Sequence, residues 1–234
     1  MRSASDSPAV VDRPAKDDGC LAATLRVTEI FYSLQGETSR SGLPTVFIRL
    51  TGCPLRCAYC DTAYAFSGGR VHSFDEIFAA VGQHGTRYVT VTGGEPLAQK
   101  QCHALLRELC ERGYSVSLET SGAIDVAGVD PRVSKILDVK TPASGEVTKN
   151  LWSNLAHLTA HDEIKFVICN EADYAWAKEE LAARKLAALC PVLFSPSYRE
   201  LPAAQLAEWI LRDRLPVRFQ TQLHKQLWGE KPGV

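Results

Sequence analysis

The sequence predicts an α/β protein in which about six mainly parallel strands form a partial, open barrel. Three observations predict it. Short β-rich runs alternate with helical patterns along most of the chain, the signature of strands joined by crossover helices. The runs are too few to close a standard eight-stranded barrel. The chemically unusual residues fall just after strands, where folds of this class carry their sites.

The elements follow in order. Thr24 to Ser33 alternates as a strand does, and a Gly-containing loop follows. Pro44 to Thr51 is a second strand. Gly52 to Arg70 reads as a loop carrying three cysteines, Asp61 and the pair Gly68-Gly69. Ser73, with Glu76 three residues on, makes a capping box that starts a helix, and Gly85 ends it. Arg87 to Thr92 is a strand, Gly93-Gly94-Glu95-Pro96 a turn, and Ala98 to Arg112 a helix stopped by Gly113. Strands are expected at Tyr114 to Glu119, Lys135 to Val139 and Glu163 to Ile168. A helix from Glu171 to Leu189, a strand at Pro191 to Phe194, a helix from Pro202 to Arg214 and a strand at Val217 to Thr221 complete the series. No internal repeat or strong linker interrupts it. One domain over residues 24–234 is expected, preceded by a disordered tail over residues 1–23.

Composition bounds the function. The chain has 234 residues and a formal net charge of -1. That balance argues against broad nucleic-acid or anionic-membrane binding, which needs a basic excess. No stretch approaches the roughly 18 apolar residues of a membrane span. The first residues lack the apolar core of a secretory signal, and Asp6, Asp12, Asp17 and Asp18 disfavour a transit peptide, so a cytoplasmic protein is expected. Of eight cysteines, Cys20, Cys102, Cys110, Cys169 and Cys190 are scattered and read as small buried hydrophobes.

The other three are clustered. Cys53-Pro-Leu-Arg-Cys57-Ala-Tyr-Cys60 spaces its thiols by three intervening residues and then two. Thiolates suit zinc or iron–sulfur clusters. A structural zinc site wants four closed ligands, usually as two short-spaced pairs, and no second pair exists. Three cysteines on one loop can instead hold three irons of a cubane and leave the fourth open. Zinc and coincidental packing are the rival readings.

Cys53-x3-Cys57-x2-Cys60 together with Gly93-Gly94-Glu95-Pro96 resembles the radical S-adenosylmethionine (SAM) superfamily. The resemblance implies a [4Fe–4S] cluster whose open iron binds SAM, a 5′-deoxyadenosyl radical, and a TIM-like partial barrel. Physically, the glycines let backbone approach a ligand closely, and Glu95 with nearby carbonyls can meet a cationic amino group. An ordinary turn is the rival reading of that segment.

A finer resemblance is to the 7-carboxy-7-deazaguanine synthase family of queuosine biosynthesis. It is carried by Leu34-Gln35-Gly36-Glu37, by Phe47-Ile48-Arg49-Leu50 before Thr51-Gly52-Cys53, and by Cys60-Asp61-Thr62. Glu119-Thr120-Ser121-Gly122 and the C-terminal stretches Gln220 to Lys225 and Trp228 to Val234 add to it. The family rearranges 6-carboxy-5,6,7,8-tetrahydropterin to 7-carboxy-7-deazaguanine with loss of ammonia. It regenerates SAM and uses Mg²⁺.

The resemblance implies residue roles. Leu34, Gln35, Gly36 and Glu37 would meet the pterin, with the Glu37 carboxylate on its guanidine-like edge. Arg49 suits the substrate carboxylate, since a guanidinium fork matches it. Thr92, His224 and the terminal carboxylate of Val234 would be further substrate contacts. Thr62 would be the protein's ligand to Mg²⁺, an ion that prefers oxygen and keeps waters. Gly94, Glu95, Ser121, Asp138, Val139, Lys140, Ser195, Pro196, Ser197 and Tyr198 would surround SAM. No side chain is assigned as a catalytic acid or base. A flavodoxin- or ferredoxin-type electron donor and a homodimer are implied, with no nucleic acid and no membrane as partner.

Blander readings stand beside these. Arg49 on a strand can be a surface charge, Glu37 a turn solvator, Thr62 a helix N-cap, and His224 a neighbour of Trp228. Trp152, Trp176 and Trp209 read as core or dimer residues. Ser195 to Tyr198 match by position only, and Gln222-Leu223 alters the spacing of the C-terminal motif. Another small radical SAM enzyme, such as a glycyl-radical activase, shares the cysteine loop. It has no reason for Leu34 to Glu37, Arg49 or the C-terminal motif.

Overall fold

The structure is a computed structural model, and it describes residues 23–231 and 233. The expected disordered tail, apart from Ala23, and the Val234 contact lie outside the described residues.

Nine strands form one sheet in the order β3-β1-β2-β4-β5-β6-β7-β8-β9. They are β1 (Thr24–Leu34), β2 (Pro44–Leu50), β3 (Arg70–Ser73), β4 (Tyr88–Gly93), β5 (Ser115–Thr120), β6 (Ser134–Val139), β7 (Glu163–Ile168), β8 (Val192–Pro196) and β9 (Arg218–Phe219). From β2 through β4 to β9 every neighbour pair is parallel, while β1 pairs antiparallel with β2 and β3. The ends of the order do not pair, so the sheet is open. Six parallel strands of five to seven residues thus carry the barrel, and the two-residue β9 ends it.

Five helices accompany the strands: α1 (Phe74–Gly82), α2 (Cys102–Glu111), α3 (Glu171–Ala183), α4 (Ala203–Asp213) and α5 (Leu223–Trp228). The capping box that starts α1 forms in both directions between Ser73 and Glu76. Side chains alternate across a strand, so each strand offers one set to the helices and another to the opposite face. Val46, Ile48 and Leu50 of β2, Val89 and Val91 of β4, and Val116 and Leu118 of β5 meet the helices. Leu105, Leu106 and Leu109 of α2 and Ile77 and Val81 of α1 complete that side. All belong to one contiguous apolar cluster.

Several boundaries differ from expectation. β3 and α5 have no counterpart among the expected elements: β3 is only four residues and follows Gly68-Gly69, and α5 is a six-residue helix with no buried residue. The helix expected from Ala98 begins at Cys102, because Pro96–Ala98 first makes a 3₁₀ turn. The helix expected to reach Leu189 ends at Ala183, where Lys185 turns left-handed at φ 52°. Trp152, Trp176 and Trp209 lie half-buried against the apolar cluster. Of the scattered cysteines, Cys102 and Cys190 are buried, while Cys110 and Cys169 are partly exposed. No helix among the described residues is long and apolar enough to cross a membrane.

Candidate active site

Away from the helices the strands present polar residues among a few apolar ones, Phe47, Ile136 and Val167. Arg49 of β2, Thr92 of β4, Glu119 of β5, Asp138 of β6, Lys165 of β7 and Ser195 of β8 all line one cavity of about 490 Å³. Register aligns them: Arg49 lies beside Thr92, and Asp138 beside Lys165. The loops after the same strands close over the cavity.

The cysteine loop follows β2. Cys53, Cys57 and Cys60 are half-buried, unpaired thiols on the cavity wall. Burial pushes the Cys53 and Cys57 thiols up, so metal rather than bulk solvent is what would hold them as thiolates. Among the described residues, no three His, Cys, Asp or Glu side chains gather to hold one metal ion. All three thiols border the same cavity. Thr62 also lines the cavity, its hydroxyl 3.8 Å from the Cys60 sulfur. It starts a 3₁₀ turn, Ala63–Phe66, without capping it through its side chain, so the hydroxyl is not committed to the backbone.

Gly93 and Gly94 have a more local task than ligand approach. A Cβ on Gly94 would lie 2.4 Å from the Gly52 carbonyl oxygen and 2.7 Å from the Cys53 Cβ. A Cβ on Gly93 would lie 2.4 Å from the Leu50 oxygen. The glycines therefore let the β4 turn pack against the base of the cysteine loop, where no side chain fits. Gly94 still borders the cavity.

Glu95 differs from expectation. It is fully buried, and it does not line the cavity. Its carboxylate accepts from the Leu97 and Ser121 amides, at 3.0 and 2.7 Å, and from the Thr120 hydroxyl at 2.9 Å. The Ser121 hydroxyl donates to it as well. With these donors around it, Glu95 ties the β4 turn to the β5 loop. Val139 is likewise buried and off the cavity, since the strand alternation turns it to the helices. Asp138 and Lys140 flank it on the cavity side, paired at 3.1 Å. Burial lowers the Lys140 ammonium's pKa, but Asp138 outweighs this and leaves it raised. Ser121, Ser195, Pro196, Ser197 and Tyr198 complete this end of the wall.

The other end holds the remaining candidates. Leu34, Gln35, Gly36, Glu37, Arg49, Thr92 and His224 all line the cavity. Gln35 donates to the Thr90 hydroxyl at 3.2 Å and to Glu119 at 3.3 Å, and Thr92 donates to Glu119 at 3.0 Å. Arg49 is no free surface charge. Its Nε donates to Glu29 at 2.7 Å, Tyr64 shares the same carboxylate oxygen at 2.8 Å, and the side chain is 13% exposed. That leaves the outer edge of the guanidinium as a fork.

Two residues missed in the sequence complete the floor. Lys165 forms an ion pair with Glu37. Burial would raise Glu37, but the adjacent Lys165 ammonium reverses this and holds the carboxyl below its usual range. Glu119 goes the other way: burial, reinforced by the Glu37 charge, pushes it up. A lysine inside an apolar strand gave no local signal. Glu119 stood in the Glu119-Thr120-Ser121-Gly122 segment without a role.

The C-terminal segment closes the site. The Leu223 amide donates to the Gly36 carbonyl at 2.9 Å. Lys225 meets Asp61, beside Cys60, at 2.7 Å, and Gln222 donates to the same carboxylate at 3.3 Å. A Cβ on Gly36 would lie 2.1 Å from His224 Nδ1, so the glycine makes room for the ring. His224 thus packs on the Gly36 turn, where burial lowers its pKa and favours neutral imidazole.

Residues 47–140 match the family model described as the radical SAM superfamily. The chain is 46% identical over 211 residues to the 7-carboxy-7-deazaguanine synthase of Chlorobaculum tepidum, covering 88% of this chain and 96% of that one. It is 45% identical to the synthase of Koribacter versatilis, covering 90% of this chain and all of that one. The chain belongs to the 7-carboxy-7-deazaguanine synthase family. The crystal structure of QueE from Escherichia coli superposes with a TM-score of 0.71 at 25% identity, over 86% of this chain and 95% of that one. The family implies a radical SAM lyase that uses a [4Fe–4S] cluster and SAM. The cavity fits that demand, with three unpaired thiols at one end and an array of hydrogen-bonding groups at the other.

Proposed function

We propose that this chain converts 6-carboxy-5,6,7,8-tetrahydropterin to 7-carboxy-7-deazaguanine with loss of ammonia, in the making of queuosine-type deazapurines. The observation that carries the reading is a single cavity. It joins the three-cysteine loop to Glu37, Arg49 and His224, groups matched to a carboxylated pterin.

Cys53, Cys57 and Cys60 would hold the cluster. Gly94, Ser121, Asp138, Lys140 and the stretch Ser195 to Tyr198 would border SAM, with Glu95 supporting the loops from behind. Cluster and SAM, when bound, would supply a carbon radical able to take one hydrogen from the substrate and later return it. The chain's own residues bind and orient. Arg49, braced by Glu29, offers its outer edge to the substrate carboxylate. Glu37 accepts from the guanidine-like edge. Gln35, Thr92 and Glu119 form a hydrogen-bonded wall that fixes the ring plane. His224 and the segment around it would close the site over the ligand. Thr62 would offer a protein oxygen to Mg²⁺, an ion that suits oxygen ligands and keeps waters. A small reduced donor of flavodoxin or ferredoxin type, a homodimer and a cytoplasmic setting belong to the same reading.

The test is direct. The protein is purified without oxygen, reconstituted with iron and sulfide, and incubated with reductant, SAM, Mg²⁺ and the carboxytetrahydropterin. A deazapurine product with recovered SAM is expected. SAM cleavage without pterin conversion would assign the chain to a different radical SAM reaction. Tightly bound zinc with no iron would overturn both.

A further inference from the structure

Lys165 has no part in the reading above, yet it stands in the middle of the substrate end. It sits on the cavity face of β7, its side chain 12% exposed and that of Glu37 10%. Burying an ammonium merely to neutralise a carboxylate is a weak source of stability, and apolar replacements often do as well. A buried ion pair on a cavity wall is better explained by what it presents to the cavity.

An ammonium carries three donors. Among the described residues Glu37 is the hydrogen-bond acceptor for Lys165, through Oε2, and the other donors remain for a ligand. Glu37 is similarly open: Oε1 has no hydrogen-bond donor among the described residues. Glu119 is the contrast, since Thr92 and Gln35 already occupy both of its oxygens. The pair therefore offers the cavity the acceptor oxygens of Glu37 and, bonded to one of them, a donor.

A 2-amino-4-oxo pyrimidine ring presents the complement. Its amino group and ring N–H are adjacent donors, and its carbonyl oxygen is the acceptor next to them. We infer that Lys165 is a specificity-determining residue that donates to the ring carbonyl of the substrate while Glu37 accepts from the two N–H groups beside it. This rests on the pterin reading and goes beyond it, because it states which ring edge is read and by which two side chains. A 4-amino analogue would set a donor against the ammonium. A site built around a hydrogen bond discriminates sharply against a ligand that cannot make it, because buried polar groups are left unpaired.

The experiment uses two non-reacting probes, pterin-6-carboxylate and 2,4-diaminopteridine-6-carboxylate. Each is titrated into reconstituted enzyme with SAM and Mg²⁺, and the ratio of their Kd values is read. Replacing Lys165 by Met should shift that ratio at least ten-fold toward the diamino compound. Lys165→Arg, which keeps a cationic donor, should recover most of the preference. If Lys165→Met weakens both probes equally and leaves the ratio unchanged, Lys165 only neutralises Glu37 and the inference falls. Should the Met variant not fold, Lys165→Gln replaces it, with a shift of at least three-fold required. A wild-type enzyme that binds neither probe would sink the pterin reading and this inference with it. Wild-type binding with an unshifted ratio sinks the inference alone.

Discussion

The two faces of the sheet are made by the same strands and obey opposite rules. Toward the helices, β4 and β5 present Val89, Val91, Val116 and Leu118, each 1% exposed or less. Toward the cavity they present Thr90, Thr92, Ser117 and Glu119, with hydrogen bonds of 2.8 Å between Thr90 and Ser117 and 3.0 Å between Thr92 and Glu119. One face is held by apolar burial, which is tolerant of which hydrophobe fills a site provided the volume is kept. The other satisfies polar groups one by one, and each removal leaves a partner stranded. Stability and recognition are thus divided by a one-residue step along each strand. Substitutions a residue apart should separate them.

The largest separation is expected between Leu118 and Arg49. Leu118→Ala removes a fully buried side chain from the helix-facing layer and should cost about 2–5 kcal/mol of stability. The kcat/KM of molecules still folded should change less than about three-fold. Arg49→Ala should do the reverse. It keeps the cluster and, since Glu29 retains its bond from Tyr64, costs less stability than Leu118→Ala, yet lowers kcat/KM about 100-fold, because the substrate carboxylate loses its fork. Denaturant melts and turnover measured on both variants check this. If Arg49→Ala lost stability as heavily as Leu118→Ala, with turnover per folded molecule intact, the division between the faces would be wrong.

A second effect lies within the polar face. Glu119 has its pKa raised by burial and by the charge on Glu37. A carboxyl whose folded pKa lies above its unfolded value of 4.5 resists ionisation in the native state. It therefore costs no stability at a pH well below 4.5. The cost grows as pH rises from there to the folded pKa, and stays in full above it. Glu119→Gln, uncharged throughout, should melt above wild type at neutral pH, with the gap closing as pH falls toward 4.5. A variant melting below wild type at neutral pH, with no change in the gap on acidification, would show that its hydrogen bonds to Thr92 and Gln35 outweigh the relief of charge.

The two faces also differ in how much of them could be read from sequence. Alternation alone located most strands, and β7 was bounded correctly at Glu163–Ile168, because apolar burial leaves a periodic trace. The cysteine loop and the Leu34 to Glu37 turn were visible as motifs, since their chemistry is written in adjacent residues. Lys165 was not. In Glu-Ile-Lys-Phe-Val-Ile a lysine reads as a solvated position, and its partner Glu37 lies 128 residues away. The partners of Glu95 were hidden for the same reason: only the fold brings Thr120 and Ser121 around its carboxylate. β3 and α5 are too short for periodicity to register at all.

The smallest expected effect tests the seam between the Gly36 turn and the C-terminal segment, where neither face's rule applies. Gly36 carries no positive φ, so its requirement is room and not backbone conformation. An added methyl group would lie 2.1 Å from His224 Nδ1, well inside contact distance. His224 sits in the short helix α5, which has no buried side chain and so little packing to resist displacement. The ring should therefore move, rather than the β1 turn, whose Gln35 is held by the Leu43 and Gly42 backbone at 2.9 and 2.8 Å. Gly36→Ala is expected to leave the melting transition within about 1 kcal/mol of wild type. It should raise KM for the pterin about five-fold with kcat nearly unchanged, the pattern of lost uniform binding. A comparable fall in kcat with KM constant would mean that His224 acts on the reacting substrate and does not merely close the site over it.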